Sequence, residues 1–368
     1  MTRQLRSPTT IAFVAVVALL VVLPAIGSSF FVNFIMTRTL ILGLAAATIV
    51  FLSAYGGMVS LAQLMLFGTA GFMFGNAVLE ASPRGLNLGW APWTAVVFAL
   101  AVATAIAFLL GALSSRTTGI YFLMLTLVYA VIGYNVFAQV VPISGPSGIT
   151  RITPPPPITQ ATHLYYAALL LSIGGYVVLK LVARTPFGLA LQGVRDDPVR
   201  MASLGFRVPL HRALAFTLAG FIAGVAGLLN VWWNGQIDPA SIGISPTLVL
   251  LIVAVIGGIS HLEGAWLGAF VYVAANSYLR ALPFVDRIGI TEDRFNTVIG
   301  ALVLLIMVLS PEGLSGVIQR LSNEGRRRFS RFSSRDGTGR VDTSGDDACE
   351  SPVVMIDSST SPPTEERK

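Results

Sequence analysis

The densest chemistry in this chain is a charged island from Arg184 to Arg212, RTPFGLALQGVRDDPVRMASLGFRVPLHR, set between long hydrophobic runs. Its arginines and carboxylates suit polar docking rather than bond making. No GxxxxGK[ST] phosphate loop occurs, and the two lysines, Lys180 and Lys368, leave no Walker-type ATP site. There is no HExxH zinc pair, and no GxSxG on a plausible strand–helix turn. The three histidines, His163, His211 and His261, stand far apart in the chain. The single cysteine, Cys349, can form neither an intrachain disulfide nor a cysteine metal cluster. The sequence therefore predicts no catalytic residue, no metal and no cofactor.

The island punctuates itself as two short helices. Thr185 then Pro186 is an N-cap followed by a first-turn proline, where the missing N–H does no harm. Asp197 then Pro198 repeats the signal, and Gly205 follows about two helical turns later as a stop.

The elements on either side belong in a bilayer. The 368 residues are 54% hydrophobic and 11% charged, against about 25% charged in a soluble domain. A span needs about 20 mainly apolar residues, which predicts an all-α, polytopic membrane protein with about ten transmembrane helices. They cover roughly 9–27, 37–54, 58–79, 91–113, 119–141, 164–182, 213–233, 246–259, 264–281 and 295–310. The first run reads as a retained span rather than a cleaved leader. Gly257, Gly258 and Gly264 interrupt the 246–281 pair and allow a re-entrant segment there.

With the N-terminus inside, nine basic residues ahead of the tail fall in cytoplasmic segments and six in outer loops, and nine more fall in the tail. This places both termini and the island in the cytoplasm. The net charge of +6 follows from that placement rather than from a nucleic-acid patch. Trp90, Trp93, Trp232 and Trp233 then sit near the outer interface. Ten spans divide as five plus five, and an odd half inserts upside down relative to its partner, which permits an inverted repeat.

Residues 1–318 are expected to form the membrane domain, with the cytoplasmic loop at 184–212. Residues 319–368 have disordered composition, and the Arg326–Arg328 and Arg331 cluster would rest on anionic lipid. Pro154 to Pro157 favour a stiff extended spacer outside. Gly71/Gly75, Gly220/Gly224 and Gly264/Gly268 place small residues four apart, first of all for packing within one bundle. No ionisable side chain falls in the middle of a span, which argues against a proton-relay carrier. Mild polar residues do lie at depth. Ser60, Gln63, Thr126 and Asn230 are the candidates to line a pathway, with interhelical hydrogen bonding as the plainer reading.

Six blocks in order resemble a known family. They are GGMVSLAQLMLFGTAG (56–71), GIYFLMLTL (119–127), TPFGLALQGVRDDPVRMASLGF (185–206), LAFTLAGFIAGVAGLL (214–229), VIGGISHLEGAWLGA (255–269) and LSPEGLSG (309–316). Together they resemble the LivM-type permeases of branched-chain amino-acid ABC importers. The resemblance implies an inner-membrane permease that performs no bond chemistry. It would pair with a second related permease subunit, two cytoplasmic ATPase subunits and an external substrate-binding protein. It also implies that Asp197–Gly205 is the loop presenting a helix to the ATPase, with Arg195, Asp196, Asp197, Arg200, Ala202 and Gly205 as its residues. Arg195 and Arg200 would supply polar contacts. A stand-alone carrier or channel for small polar solutes is the alternative the residues leave open.

Overall fold

The computed structural model describes residues 17–24, 31–79, 88–144, 147–156, 158, 160–281 and 300. Ten helices of more than four residues are bounded within that set. They are α1 (Thr37–Gly56, entered through a π-helical turn at Phe31–Met36), α2 (Gln63–Val78), α3 (Pro92–Ser114), α4 (Gly119–Gln139) and α5 (Ala161–Arg184). The island forms α6 (Pro186–Asp196) and α7 (Pro198–Ser203); then come α8 (Val208–Asn234), α9 (Ile244–Gly257) and α10 (Gly264–Ala281). Residues 17–24 are helical as well. Two-residue strands β1 (Ile149–Thr150) and β2 (Gln236–Ile237) pair antiparallel, Ile149 opposite Ile237.

Among the described residues five helices are long and apolar enough to cross a membrane: Phe31–Gly56, Pro92–Ser114, Gly119–Gln139, Ala161–Arg184 and Val208–Asn234. They match five of the ten expected spans. The last expected span and the tail from 319 lie outside the described residues, apart from Gly300. α2 and α9 are shorter, 16 and 14 residues, or about 24 and 21 Å against a hydrocarbon core of about 30 Å. Both follow a break at a left-handed glycine, Gly57 (φ 64°) before α2 and Gly235 (φ 67°) before α9.

Helix direction alternates, so the turns gather at two ends. At one end Arg195 reaches the carbonyl of Ala54 and Lys180 meets Glu263. At the other, Trp233 Nε1 donates to the Asn33 carbonyl at 3.0 Å and Asn76 Nδ2 to the Ile143 carbonyl at 2.8 Å, beside the β1–β2 ribbon. Trp90 and Trp93 are exposed, whereas Trp232 is buried edge-on against Phe74. The expected stiff proline spacer is bent instead, because the Ile158 amide donates to the Pro155 carbonyl at 2.8 Å.

Large apolar side chains of α3 face outward and small ones inward, the pattern that lets helices approach closely in lipid. On α3 the buried stripe is Ala95, Ala99, Ala103, Ala107 and Gly111, while Val97, Leu109 and Leu113 are exposed. That stripe packs on α8, and a Cβ at Gly220 would lie 2.5 Å from the Ala107 Cβ. α2 is buried along nearly its whole length. It crosses α8 so closely that a Cβ at Gly227 would stand 1.9 Å from the Phe67 carbonyl oxygen. The α9–α10 hairpin closes the same way, with a Cβ at Gly268 falling 2.2 Å from the Val253 carbonyl. The glycine pairs thus serve packing within the bundle.

Two substitutions separate this packing from ordinary helix propensity. Gly227→Val should destabilise the purified protein by about 1–3 kcal/mol or more, because backbone must move. Gly174→Ala on α5, where an added Cβ meets nothing within 4 Å, should be neutral or stabilising by about 0.5–1 kcal/mol. Thermal unfolding in detergent checks both.

Candidate functional site

The island builds itself as its sequence reads. Thr185 Oγ1 accepts from the Gly188 amide at 3.3 Å, and Pro186 occupies the first turn of α6. Asp197 Oδ1 accepts from the Val199 and Arg200 amides at 3.0 and 2.9 Å and starts α7. Gly205 takes φ 90°, and the Phe206 amide returns to the Met201 carbonyl at 3.1 Å to close the end. Both caps satisfy amides that a helix start leaves without intrahelical partners.

α6 is held down and α7 is not. Leu191 and Val194 are fully buried, and Gly188 brings the start of α6 against α5, where a Cβ would lie 2.1 Å from the Val182 carbonyl. Gln192 Nε2 donates back to the Ala183 carbonyl at 3.0 Å. No residue of α7 is buried. Arg200 and Ala202 are exposed, as are the apolar side chains Val199 (78%), Leu204 (66%) and Phe206. Arg195 is exposed but lies back against α1. It pairs with Asp196 at 2.9 Å and donates to the Ala54 carbonyl.

The pathway candidates divide. Ser60, Gln63 and Thr126 are all fully buried around one feature, the non-helical segment between α1 and α2. The sequence places helix over 58–79, but α1 stops at Gly57, whose amide returns to the Leu52 and Ser53 carbonyls. Thr126 Oγ1 accepts from the Leu61 amide at 3.1 Å, and Ser60 Oγ from the Ala62 amide at 3.3 Å. These hydroxyls serve the broken backbone. The Gln63 amide group is different, with neither Nε2 nor Oε1 hydrogen-bonded. Asn230 lies apart, half-buried near the ribbon end of α8, where its Oδ1 accepts from Asn234 Nδ2 at 3.2 Å.

A polar cluster at the island end escaped the sequence reading. Glu263, in the turn before α10, accepts from Tyr176 Oη and Lys180 Nζ, each at 2.7 Å. Burial opposes ionisation of Glu263, but the hydrogen bonds from Lys180 and Tyr176 outweigh it and hold the carboxyl below the usual range. Tyr176 also meets Trp266 edge-on, and Trp266 Nε1 donates to Ser172 Oγ at 2.6 Å. The signal for it was an acidic residue beside a helix-starting glycine, with its partner 83 residues away. Among the described residues no three His, Cys, Asp or Glu side chains come together to hold a metal ion.

The folded carboxyl of Glu263 titrates below its ordinary value of about 4.3. Its pairing therefore stabilises the fold at neutral pH, and the contribution fades as pH falls through the depressed value. Glu263→Gln should cost about 1 kcal/mol or less, since the pair is half exposed. Melting temperature measured from pH 7 down to 3 should show a smaller acid-side drop in the variant.

Comparison with known proteins agrees with this architecture. Residues 10–308 match the family described as branched-chain amino acid transport system, permease component. The high-affinity branched-chain amino acid transport system permease protein LivM of Escherichia coli is 27% identical over 286 residues, covering 70% of this chain and 65% of that protein. A probable branched-chain amino acid transport permease protein LivH of Methanocaldococcus jannaschii is 27% identical over 153 residues, 41% of this chain and 47% of the relative. The autoinducer 2 import system permease protein LsrC of Photorhabdus laumondii is 28% identical over 167 residues, 44% of this chain and 47% of the relative. The matched region spans just under two thirds of the LivM relative's length. No solved structure matches. A family match across most of the chain, over a bundle of apolar spans, makes this protein a member of the branched-chain amino acid transport system permease family.

Proposed function

We propose that the chain is the membrane-spanning permease subunit of an ATP-binding cassette importer. It would carry branched-chain or related small amino acids across the cytoplasmic membrane. The relatives' names support the substrate class, and family membership supports the importer. Its partners would be a second related permease, two cytoplasmic ATPases, an external binding protein that sets specificity, and membrane lipid.

One observation carries the reading. α7 is capped at its start and closed at its end and follows directly on the anchored α6, yet Val199 on it and Leu204 and Phe206 just after it are exposed. Exposed apolar side chains on a short capped helix make a docking surface. On this reading Arg200 and Ala202 face the ATPase, Asp197 and Gly205 fix the helix, and both termini lie on the island side.

The complete bundle would have ten spans in two inverted halves. The two short helices support this, because each follows a left-handed glycine break, α2 at the island end and α9 at the ribbon end. Such paired interruptions point to the transport pathway. Gln63, fully buried with both amide atoms unbonded, is the pathway group with hydrogen-bonding capacity to spare.

The test is co-purification from membranes. Val199→Asp combined with Leu204→Asp should cut recovery of the ATPase subunits at least about tenfold, the scale of losing one or two buried apolar side chains. Uptake of radiolabelled leucine should fall in parallel. Uptake that survives both substitutions and ATP depletion would make the chain a stand-alone carrier.

A further inference from the structure

Arg195 of the island reaches across to the backbone of α1. Its Nη1 donates to the Ala54 carbonyl, 141 residues away in sequence. That carbonyl belongs to the last turn of α1, where four oxygens lack helical donors. The carbonyls of Leu52 and Ser53 are taken by Met58 and Gly57 amides. Arg195 serves the next one along. Its aliphatic stem covers Gly57, leaving so little room that a Cβ there would sit 2.6 Å from Arg195 Cγ.

The guanidinium is itself oriented. Nε and Nη2 both lie 2.9 Å from Asp196 Oδ1. Immediately after Asp196 comes Asp197, the cap that starts α7. The cap of α7 and the residue that contacts α1 are thus separated by a single residue. Beyond Gly57, the chain enters the buried segment held by Ser60 and Thr126 and then reaches Gln63. A displacement of α7 has a short path to that segment, and Arg195 is its first member.

We propose that Arg195 is a positioning residue that transmits movement of α7 to the break between α1 and α2. It does so by holding the Ala54 carbonyl and the backbone at Gly57, rather than by contacting the ATPase. This rests on the reading of α7 as the ATPase-docking helix.

The experiment uses the whole importer in membranes, with Cys349→Ser removing the single native cysteine and Val59→Cys, at a half-buried position within the break, as the reporter. Maleimide labelling at position 59 is followed with and without ATP plus orthovanadate, and ATPase recovery is measured on the same membranes. In the parent, nucleotide trapping should change the labelling rate. In Arg195→Gln the response should fall about tenfold, the scale of one charge-assisted hydrogen bond. ATPase recovery should be unchanged. Arg195→Lys should restore part of the response, since an ammonium can still donate to the carbonyl. An undiminished response in Arg195→Gln overturns the proposal. So does loss of the ATPases, which would make Arg195 a docking contact.

If Arg195→Gln does not accumulate, Gly57→Ala carries the same test by forcing the Arg195 stem away; an unchanged response there overturns the proposal equally. A parent that recovers no ATPase at all defeats the docking reading itself, and the role of Arg195 falls with it.

Discussion

Backbone that leaves the helix inside a membrane must find its hydrogen-bond partners within the protein. The segment from Gly57 to Ala62 meets that demand with a few specific groups. The Gly57 and Met58 amides fold back onto α1, the Thr126 and Ser60 hydroxyls accept from the Leu61 and Ala62 amides, and Arg195 caps a freed carbonyl. Without those partners the buried part of the break would leave backbone groups unsatisfied. With them, α1 and α2 can change direction beneath the surface, and a polar patch with one unsatisfied amide, Gln63, can lie inside an apolar bundle.

The rest of the bundle is arranged around this break. α2 has no outward face of consequence, so its neighbours must come close, and glycine and alanine make that approach. Gly71 admits Val231 and Ile237, Gly133 admits Met65, and Gly227 admits the Phe67 backbone itself. Large side chains are left for the outer surface of α3, α4 and α5. The Tyr176–Lys180–Glu263 cluster then ties the α9–α10 turn to α5 at the same end as the island. There its charged groups are partly exposed and water can share their solvation.

What was legible in the sequence was local. Thr185–Pro186, Asp197–Pro198 and Gly205 act within a few residues of themselves, and the structure uses each as its chemistry dictates. The five long spans were equally plain, because an apolar run of that length has few other fates. What could not be read depends on partners far away in the chain. GMVSLAQ is apolar enough to pass for helix, and one of the groups that satisfies the break, the Thr126 hydroxyl, comes from 65 residues beyond Leu61. The contact of Arg195 with the Ala54 carbonyl could not be read either, because nothing nearby in sequence announces that partner. Asn230 shared the polarity of the other pathway candidates but not their place in the bundle.

The proposed coupling requires α7 to face the compartment that holds ATP. Val199, 78% exposed on that helix, is the position to interrogate. In intact cells expressing a Val199→Cys, Cys349→Ser chain, a membrane-impermeant maleimide should leave the protein unlabelled until the membrane is permeabilised. Labelling from outside in sealed cells would put the helix on the wrong side and contradict the account.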